Sequence, residues 1–195
     1  MEQIRAFIAL ELPTVAKGAL ESFVQGLQAV APVGVRWVGP DGIHLTLKFF
    51  GNIDAESVGP ISQAMSCCSA AVSPFDLFLS ELGAFPSLKA PRVIWIGLGD
   101  ALDDLLGLQT SLEKEMERLG YDRDRRPFSP HLTLGRTREG MTGPQRRKIG
   151  DDVARASLEM GEVLPVKEIT LIQSTLTPSG AIYTHLFSAP LGSAP

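Results

Sequence analysis

The sequence predicts an α+β fold with antiparallel strand pairing, and three observations support this class. The 195 residues alternate strand-like and helix-like segments, but without the strict strand–helix–strand cadence of a doubly wound parallel sheet. Hydrophobic residues make up 44% and charged residues 21% of the chain, which is a globular composition. A four-residue motif begins at position 44 and again at position 131, 87 residues later, as expected if two similar halves share one chain.

Residues 1–73 are expected to hold three strands and two helices. Apolar runs that end at turn residues predict the strands, and apolar residues at helical spacing predict the helices. Thr14 is the expected N-cap of the first helix, which ends at Pro32 and Gly34. The predicted inner face of this helix consists of Val15, Ala19, Phe23, Leu27 and Val30. The strands are predicted over 4–12, 35–38 and 43–50, and the helices over 14–31 and 54–69.

Residues 74–195 are expected to hold five strands and two helices. The longer helix carries an apolar stripe, and Gly120 follows it as the expected C-cap. The stripe consists of Leu102, Leu105, Leu108, Leu112, Met116 and Leu119. The helices are predicted over 101–119 and 144–160, and the strands over 74–82, 93–98, 131–136, 164–174 and 181–189.

Charge and composition exclude several classes of protein. The net charge of −4 and the isoelectric point of about 5.4 argue against a protein that coats nucleic acid by bulk electrostatics. No apolar run approaches the ~20 residues of a membrane helix, and none has the length and basic start of a secretory signal. The only two cysteines, Cys67 and Cys68, are adjacent and offer neither a disulfide framework nor zinc spacing. We therefore expect a cytoplasmic protein with no membrane partner.

An internal repeat carries the residues suited to catalysis. His44–Leu47 has the sequence HLTL, and His131–Leu134 repeats it. Side chains alternate across a strand, so the histidine and threonine of each copy share one face, about 7 Å apart along the chain. The two leucines of each copy point to the other face and can anchor it in a core. If the halves pack with approximate twofold symmetry, the two His-x-Thr faces meet at one cleft.

Two imidazoles around one point suit the in-line opening of a cyclic phosphodiester. Water enters opposite the departing oxygen, so a base and an acid must lie on opposite sides of phosphorus. Histidine can fill both roles because its reference pKa is about 6.5. Threonine hydroxyls can donate hydrogen bonds to the non-bridging oxygens. We therefore predict catalytic roles for His44 and His131, phosphate binding by Thr46 and Thr133, and no metal or other cofactor.

The two motifs and their flanks resemble the 2H phosphoesterases, and within them the RNA 2′,3′-cyclic phosphodiesterases once described as 2′-5′ RNA ligases. The likeness spans nearly the whole chain. It lies in RAFIAL at 5–10, in RWV at 36–38 before HLTLKFFG at 44–51, and in RPFSP at 126–130 before HLTLGR at 131–136. Ser174 and the segment 180–183 also look like family positions.

The resemblance implies a bilobal α+β fold, with two pseudo-symmetric lobes of antiparallel sheet and outer helices around a central groove. Residues 1–195 would form a single domain of two interleaved lobes, each supplying one motif copy. The implied reaction opens a 2′,3′-cyclic phosphate at an RNA 3′ end to leave a 2′-phosphate, and microscopic reversibility allows the reverse, 2′-5′ joining of RNA ends. By this analogy His44 would protonate the departing 3′ oxygen and His131 would activate water, although approximate symmetry lets the roles exchange.

Further substrate-binding residues are expected near the motifs. Strict alternation places Lys48 on the histidine's face, at the edge of the groove. It places Arg136 on the opposite face, so Arg136 needs a bend at the strand end to reach phosphate. Phe49 and Tyr183 are aromatics that could stack on a base, and Arg126 precedes the second motif in an Arg-rich stretch.

Two alternatives stay open. The same site could act on small nucleotides, such as cyclic phosphates derived from ADP-ribose or 2′-5′ linkages, or the chain could bind RNA ends without catalysis. The third histidine, His185, lacks a threonine two residues on, so we predict a structural role for it rather than a zinc site with His44 and His131. Nothing in the sequence indicates an obligate dimer, so we expect a monomer whose partner is an RNA 3′ end or a small cyclic nucleotide.

Overall fold

The computed structural model describes residues 2–31, 33–99, 102–156, 163–178 and 180–192, and it confirms the predicted α+β class. The strands are β1 (Gln3–Glu11), β2 (Val35–Trp37), β3 (His44–Asp54), β4 (Phe75–Phe85), β5 (Val93–Gly99), β6 (His131–Thr137), β7 (Val163–Val166), β8 (Glu168–Thr177) and β9 (Gly180–Pro190). The helices are α1 (Thr14–Val30), α2 (Val58–Ala70), α3 (Leu102–Arg118) and α4 (Gly143–Arg155), with 3₁₀ turns at Pro40–Gly42 and Ala55–Ser57.

The strand order divides the sheet into two halves that meet at the two motif copies. All pairings of the described strands are antiparallel, in the order β7-β4-β5-β6-β3-β1-β8-β9, and β2 also pairs with β6. Among the described residues one register pair, Leu45 with Leu132, joins β3 to β6. The half with β3, β1, β8 and β9 takes its strands from the beginning and the end of the chain, whereas β6, β5, β4 and β7 come from its middle. That residues 1–195 form one functional domain stays a prediction.

The main core lies between the sheet and the inner faces of α1, α2 and α3. α4 packs separately, through Ile149 and Val153, against Val35 of β2 and Ile94 of β5. A capping box formed by Thr142 and Gln145 begins α4. The helix ends at Arg155, and the predicted end near 160 lies outside the described residues. None of the helices that can be described is long and apolar enough to span a bilayer.

The buried face of α1 is offset from the predicted one. Ala16, Leu20 and Val24 are buried together with Leu27, whereas Val15 is 79% exposed. Both sets of residues have helical spacing, so periodicity does not choose between them, and the side that faces the sheet decides. The predicted N-cap is also wrong, because the cap is Pro13 and makes no side-chain hydrogen bond.

The apolar stripe of α3 follows the prediction through its centre and departs from it at the ends. Leu105, Leu108, Leu112 and Met116 are fully buried, whereas Leu102 is only partly buried. Leu119 follows the last helical residue and is exposed. Two polar residues, Gln109 and Glu113, are buried beside the stripe, which the apolar pattern did not predict.

Candidate active site

Each motif copy begins a strand and presents its histidine and threonine on one face. In both β3 and β6 the two leucines are buried in the core, and the histidine and threonine are half-buried. The antiparallel register through Leu45 and Leu132 sets each histidine opposite the threonine of the other copy. The two histidines are therefore diagonal neighbours on adjacent strands, and such positions lie about 7–8 Å apart.

A β-bulge at the second leucine of each motif sets the direction of the side chains that follow. The register of β1 against β3 shifts by one residue at Leu47, and that of β5 against β6 shifts at Leu134. As a result the leucine and the residue after it both face the core, and the next side chain returns to the face of the histidine. The repeat is therefore an equivalence of backbone geometry as well as of sequence.

The bulge overturns the prediction for Lys48. Strict alternation placed its side chain at the groove, but the extra residue turns it into the core, where Lys48 is 2% exposed. Its Nζ donates to Glu113 Oε2 at 2.9 Å and to the carbonyl oxygen of Asp122 at 2.6 Å. Lys48 therefore does not belong to the substrate-binding surface.

A cavity of about 1100 Å³ opens on the face of His44 and Thr46. Its walls come from β1, β3, β8 and β9 and from the segment 36–42. Arg136 of β6, the strand paired with β3, also lines it. Four cationic and two acidic side chains line it: Arg5, Lys17, Arg36, Arg136, Glu11 and Asp41. This excess of positive charge suits an anionic ligand even though the whole chain is acidic. His131 and Thr133 do not line this cavity.

The bulge at Leu134 of β6 supplies the bend that Arg136 needs to reach the cavity. Arg136 and Phe49 occupy equivalent positions after the two bulges, and both line the cavity with exposed side chains. The Phe49 ring is 42% exposed, and the guanidinium carbon of Arg5 lies 4.5 Å from its centroid. Arg126 is exposed in the loop before β6 and does not line the cavity, and its role stays a prediction.

Aromatic side chains enclose the ring of His44. Phe7 stacks on it with a centroid distance of 4.6 Å, and Tyr183 meets it edge-on at 5.3 Å. Burial lowers the pKa of His44 from 6.5 to about 4, against a smaller opposing effect of a hydrogen bond with the backbone of Gly42. His44 is therefore neutral near pH 7 in the free protein.

The ring of His131 has a fixed tautomer when it is neutral. Its Nδ1 lies 2.7 Å from the carbonyl oxygen of Ser129, and a carbonyl can only accept, so Nδ1 carries the hydrogen. The lone pair is left on Nε2, which can accept a proton. Phe85 and Trp95 contact the ring, at centroid distances of 5.0 and 6.3 Å. In both copies the ring bonds to the backbone two residues before the histidine.

Sequence reasoning missed several residues of this surface, among them Phe7, Glu11 and His185. Phe7 and Glu11 lie on β1, at the register positions of Phe49 and His44. His185, for which we predicted a structural role, lines the cavity with a side chain that is 57% exposed, and its Nε2 lies 3.0 Å from Glu11 Oε2. Alternation along β9 from Tyr183 would have placed His185 on this face. Over the described ranges, no three His, Cys, Asp or Glu side chains lie close enough to hold a metal ion.

Known proteins are similar to this chain over nearly its whole length, and the similarity includes both halves of the repeat. A family model described as LigT like Phosphoesterase matches residues 10–95 and again residues 96–183, so each match contains one motif copy. The chain is 31% identical over 183 residues to an RNA 2′,3′-cyclic phosphodiesterase of Archaeoglobus fulgidus, an alignment that covers 94% of this chain and 98% of that protein.

Solved structures share the fold. TT0787 of Thermus thermophilus superposes with a TM-score of 0.79 at 27% identity, covering 97% of this chain and 98% of that one. Escherichia coli LigT in its apo form superposes with a TM-score of 0.75 at 26% identity, covering 99% of this chain and all of LigT. The likeness in both structures extends over both halves of the sheet.

Proposed function

The chain belongs to the family of LigT-like phosphoesterases, and on that premise we propose that it hydrolyses the 2′,3′-cyclic phosphate at an RNA 3′ end to leave a 2′-phosphate. The observation that carries the proposal is the junction of β3 and β6, where the two His-x-Thr faces adjoin. The name of the A. fulgidus relative, an RNA 2′,3′-cyclic phosphodiesterase, supports the substrate class. The cationic lining of the cavity supports an anionic ligand.

His131 is the proposed base. The hydrogen bond from Nδ1 to Ser129 leaves Nε2 free to take a proton from water as the water oxygen bonds to phosphorus. The bond between phosphorus and O3′ breaks on the opposite side, and His44 donates a proton to O3′. The products are a 3′-hydroxyl and a 2′-phosphate monoester, so each turnover moves one proton onto His131 and one off His44.

Because the pKa of His44 is low, His44 carries the proton that it donates only when the bound substrate raises this pKa. At neutral pH the free protein holds this ring neutral, because burial lowers its pKa to about 4. A phosphodiester beside the ring carries a negative charge, which favours the imidazolium form and raises the pKa on binding. The group that is to be cleaved thus stabilises the proton that its leaving oxygen will receive.

The remaining contacts bind and orient the phosphate and the nucleoside. The hydroxyls of Thr46 and Thr133 donate to the non-bridging oxygens, whose charge grows as phosphorus becomes five-coordinate. Arg136 lies at the cavity to attract the phosphate, and Phe49 and Tyr183 offer faces for a base. The proposed chemistry uses proton transfer and hydrogen bonds alone, without a metal. We propose that the protein works as a monomer in the cytoplasm, where a reducing environment suits the free thiols of Cys67 and Cys68.

The direct test is an RNA oligonucleotide that ends in a 2′,3′-cyclic phosphate. We expect conversion to a 2′-phosphate, identified by phosphorus NMR, with one ¹⁸O incorporated from labelled water and an unchanged rate in EDTA. Production of a 3′-phosphate would contradict the assigned leaving oxygen. Loss of activity in EDTA that zinc or manganese restores would contradict the metal-free mechanism.

A second candidate substrate is a small nucleotide. Structures of E. coli LigT complexed with 3′-AMP, with ATP and with NADP+ support this class. The kcat/KM values for the oligonucleotide, a 2′,3′-cyclic mononucleotide and a 2′-5′-linked dinucleotide separate the two candidates, and we expect the oligonucleotide to be preferred. Addition of an RNA with a 5′-hydroxyl to the same assay tests for 2′-5′ joining.

A further inference from the structure

We infer that Lys48 and Glu113 are positioning residues, which hold the loop 119–130 and through it the ring of His131. The inference rests on the proposed function for the role of His131, but the contacts that carry it lie on the other side of the sheet from the groove. Neither side chain lines the cavity. Their effect on catalysis would therefore pass through the backbone of the loop.

The buried pair binds the loop by its main chain. Lys48 Nζ bonds to Glu113 Oε2 at 2.9 Å and to the carbonyl oxygen of Asp122 at 2.6 Å. The same Glu113 Oε2 accepts from the backbone N–H of Asp124 at 3.4 Å. Gln109 supports the carboxylate from the previous turn of α3, with its Nε2 3.4 Å from Glu113 Oε1. One cation and one anion thus satisfy an acceptor and a donor of the loop backbone.

The loop has few other anchors. It contains no helix or strand, and all of residues 122–127 are exposed. A connection of this length without secondary structure is uncommon in a compact domain and is usually functional. At its start Tyr121 meets Phe50 of β3, with a centroid distance of 4.8 Å, and near its end Phe128 packs on the main core. Between these aromatic anchors, the chain is held by the buried contacts of the pair with Asp122 and Asp124 and by an exposed ion pair of Arg123 with Glu117 at 2.8 Å.

The end of the loop orients His131. Ser129 accepts the hydrogen bond from His131 Nδ1 at 2.7 Å, five residues after Asp124. β3 therefore serves both histidines: it carries His44 on its groove face and, through Lys48, holds the segment that orients His131. A shift of the loop moves the Ser129 carbonyl and changes the direction of His131 Nε2.

A charged pair suits this task better than an apolar pair. A buried ion pair is weak evidence for stability, because apolar side chains of similar volume often stabilise a core equally well. Apolar side chains, however, cannot bond to a backbone carbonyl and a backbone amide. The equivalent position in the second copy is Gly135, where an added Cβ would lie 2.9 Å from Trp37 Cε3. The device therefore exists in one copy of the motif alone.

The test is the double variant Lys48→Met/Glu113→Leu, which removes both charges and keeps the core filled. We expect its melting temperature to stay within a few degrees of the wild type, because no buried charge is left unpaired. We expect kcat on the cyclic-ended oligonucleotide to fall by roughly 10- to 100-fold with KM within about threefold, as for a misplaced catalytic group. In ¹⁵N spectra of histidine-labelled protein, His131 should change from one neutral tautomer to a mixture of two.

The single variant Lys48→Met leaves Glu113 buried without its partner, and we expect it to be less stable than the double variant. The matched control is Arg155→Met/Asp152→Asn on α4, where half-buried Asp152 pairs with the exposed Arg155 and Lys148; it removes an ion pair far from the loop and should leave kcat and the His131 spectrum unchanged. A double variant with wild-type kcat and a single His131 tautomer would overturn the inference, as would a loss of kcat that only matches the unfolded fraction. If the wild type proves inactive on cyclic-ended RNA, the proposed function fails, whereas the His131 spectrum still tests the positioning.

Discussion

His44 and His131 begin equivalent strands, yet their rings lie in different surroundings. Both strands bulge at the second leucine, and both rings bond to the backbone two residues upstream. Phe7 and Tyr183 enclose His44, whose pKa burial lowers to about 4. His131 does not line the cavity and contacts Phe85 and Trp95 instead. The repeat thus duplicates the position of a histidine, whereas residues far away in the sequence form the surroundings of each ring.

The largest expected effect tests whether the two copies act as one unit. His44→Asn and His131→Asn should each lower kcat/KM on a cyclic-ended oligonucleotide by about 10²–10⁴-fold, because each removes one proton-transfer group. The double variant should lose little more than the worse single variant, since an acid without its base is of little use. Circular dichroism and melting temperature show whether the fold persists. A single variant with a near-normal rate would separate the copies and refute the pair.

The next effect tests the low pKa of His44. His44 is neutral in the folded protein down to about pH 4, whereas in the unfolded chain it takes up a proton below about pH 6.5. The lowered pKa of His44 therefore stabilises the folded protein fully above pH 6.5, and this contribution is lost as pH falls from 6.5 to about 4. The loss is on the order of 3 kcal/mol in the free energy of unfolding.

Urea denaturation at pH 7, 5.5 and 4 measures this dependence in the wild type and in His44→Asn. Because other groups titrate equally in both proteins, the difference between the two curves isolates His44. The wild type should lose more stability than the variant toward pH 4. Parallel curves would contradict the depressed pKa of His44.

The smallest expected effect compares two arginines beside the second copy. Arg136 lines the cavity and Arg126 does not, although both are exposed. Arg136→Gln should raise KM about tenfold through the loss of a charge-assisted hydrogen bond to phosphate, with a smaller change in kcat. Arg126→Gln should change KM by less than about twofold at the same ionic strength. An equal effect of the two variants would extend the binding surface onto the loop 119–130.

Local periodicity predicts those parts of the site that depend only on the alternation of side chains along a strand. It placed His44 with Thr46 and His131 with Thr133, and it placed the four leucines in the core. It failed at Lys48 because a bulge is a property of two paired strands and has no signal in one of them. The repeated motif predicted that the two strands are related, and their pairing through Leu45 and Leu132 agrees with that prediction.

Features that depend on the order of strands in the sheet could not be predicted. Phe7 and Glu11 reach the cavity because β1 lies beside β3. The inner face of α1 was missed for a related reason, since two apolar stripes compete and the neighbouring sheet selects one. The buried pair of Lys48 and Glu113 joins residues 65 positions apart, which no local pattern signals.

The glycine after the second bulge limits how the two copies can evolve. A Cβ at Gly135 would lie 2.8 Å from Val35 Cγ1 and 2.9 Å from Trp37 Cε3, so a larger residue requires these two side chains of β2 to shift. The first copy can carry a long side chain at this point and the second cannot. After an ancestral duplication the halves would therefore no longer be interchangeable: a transplant of the first copy's sequence into the second would set a lysine side chain against Val35 and Trp37.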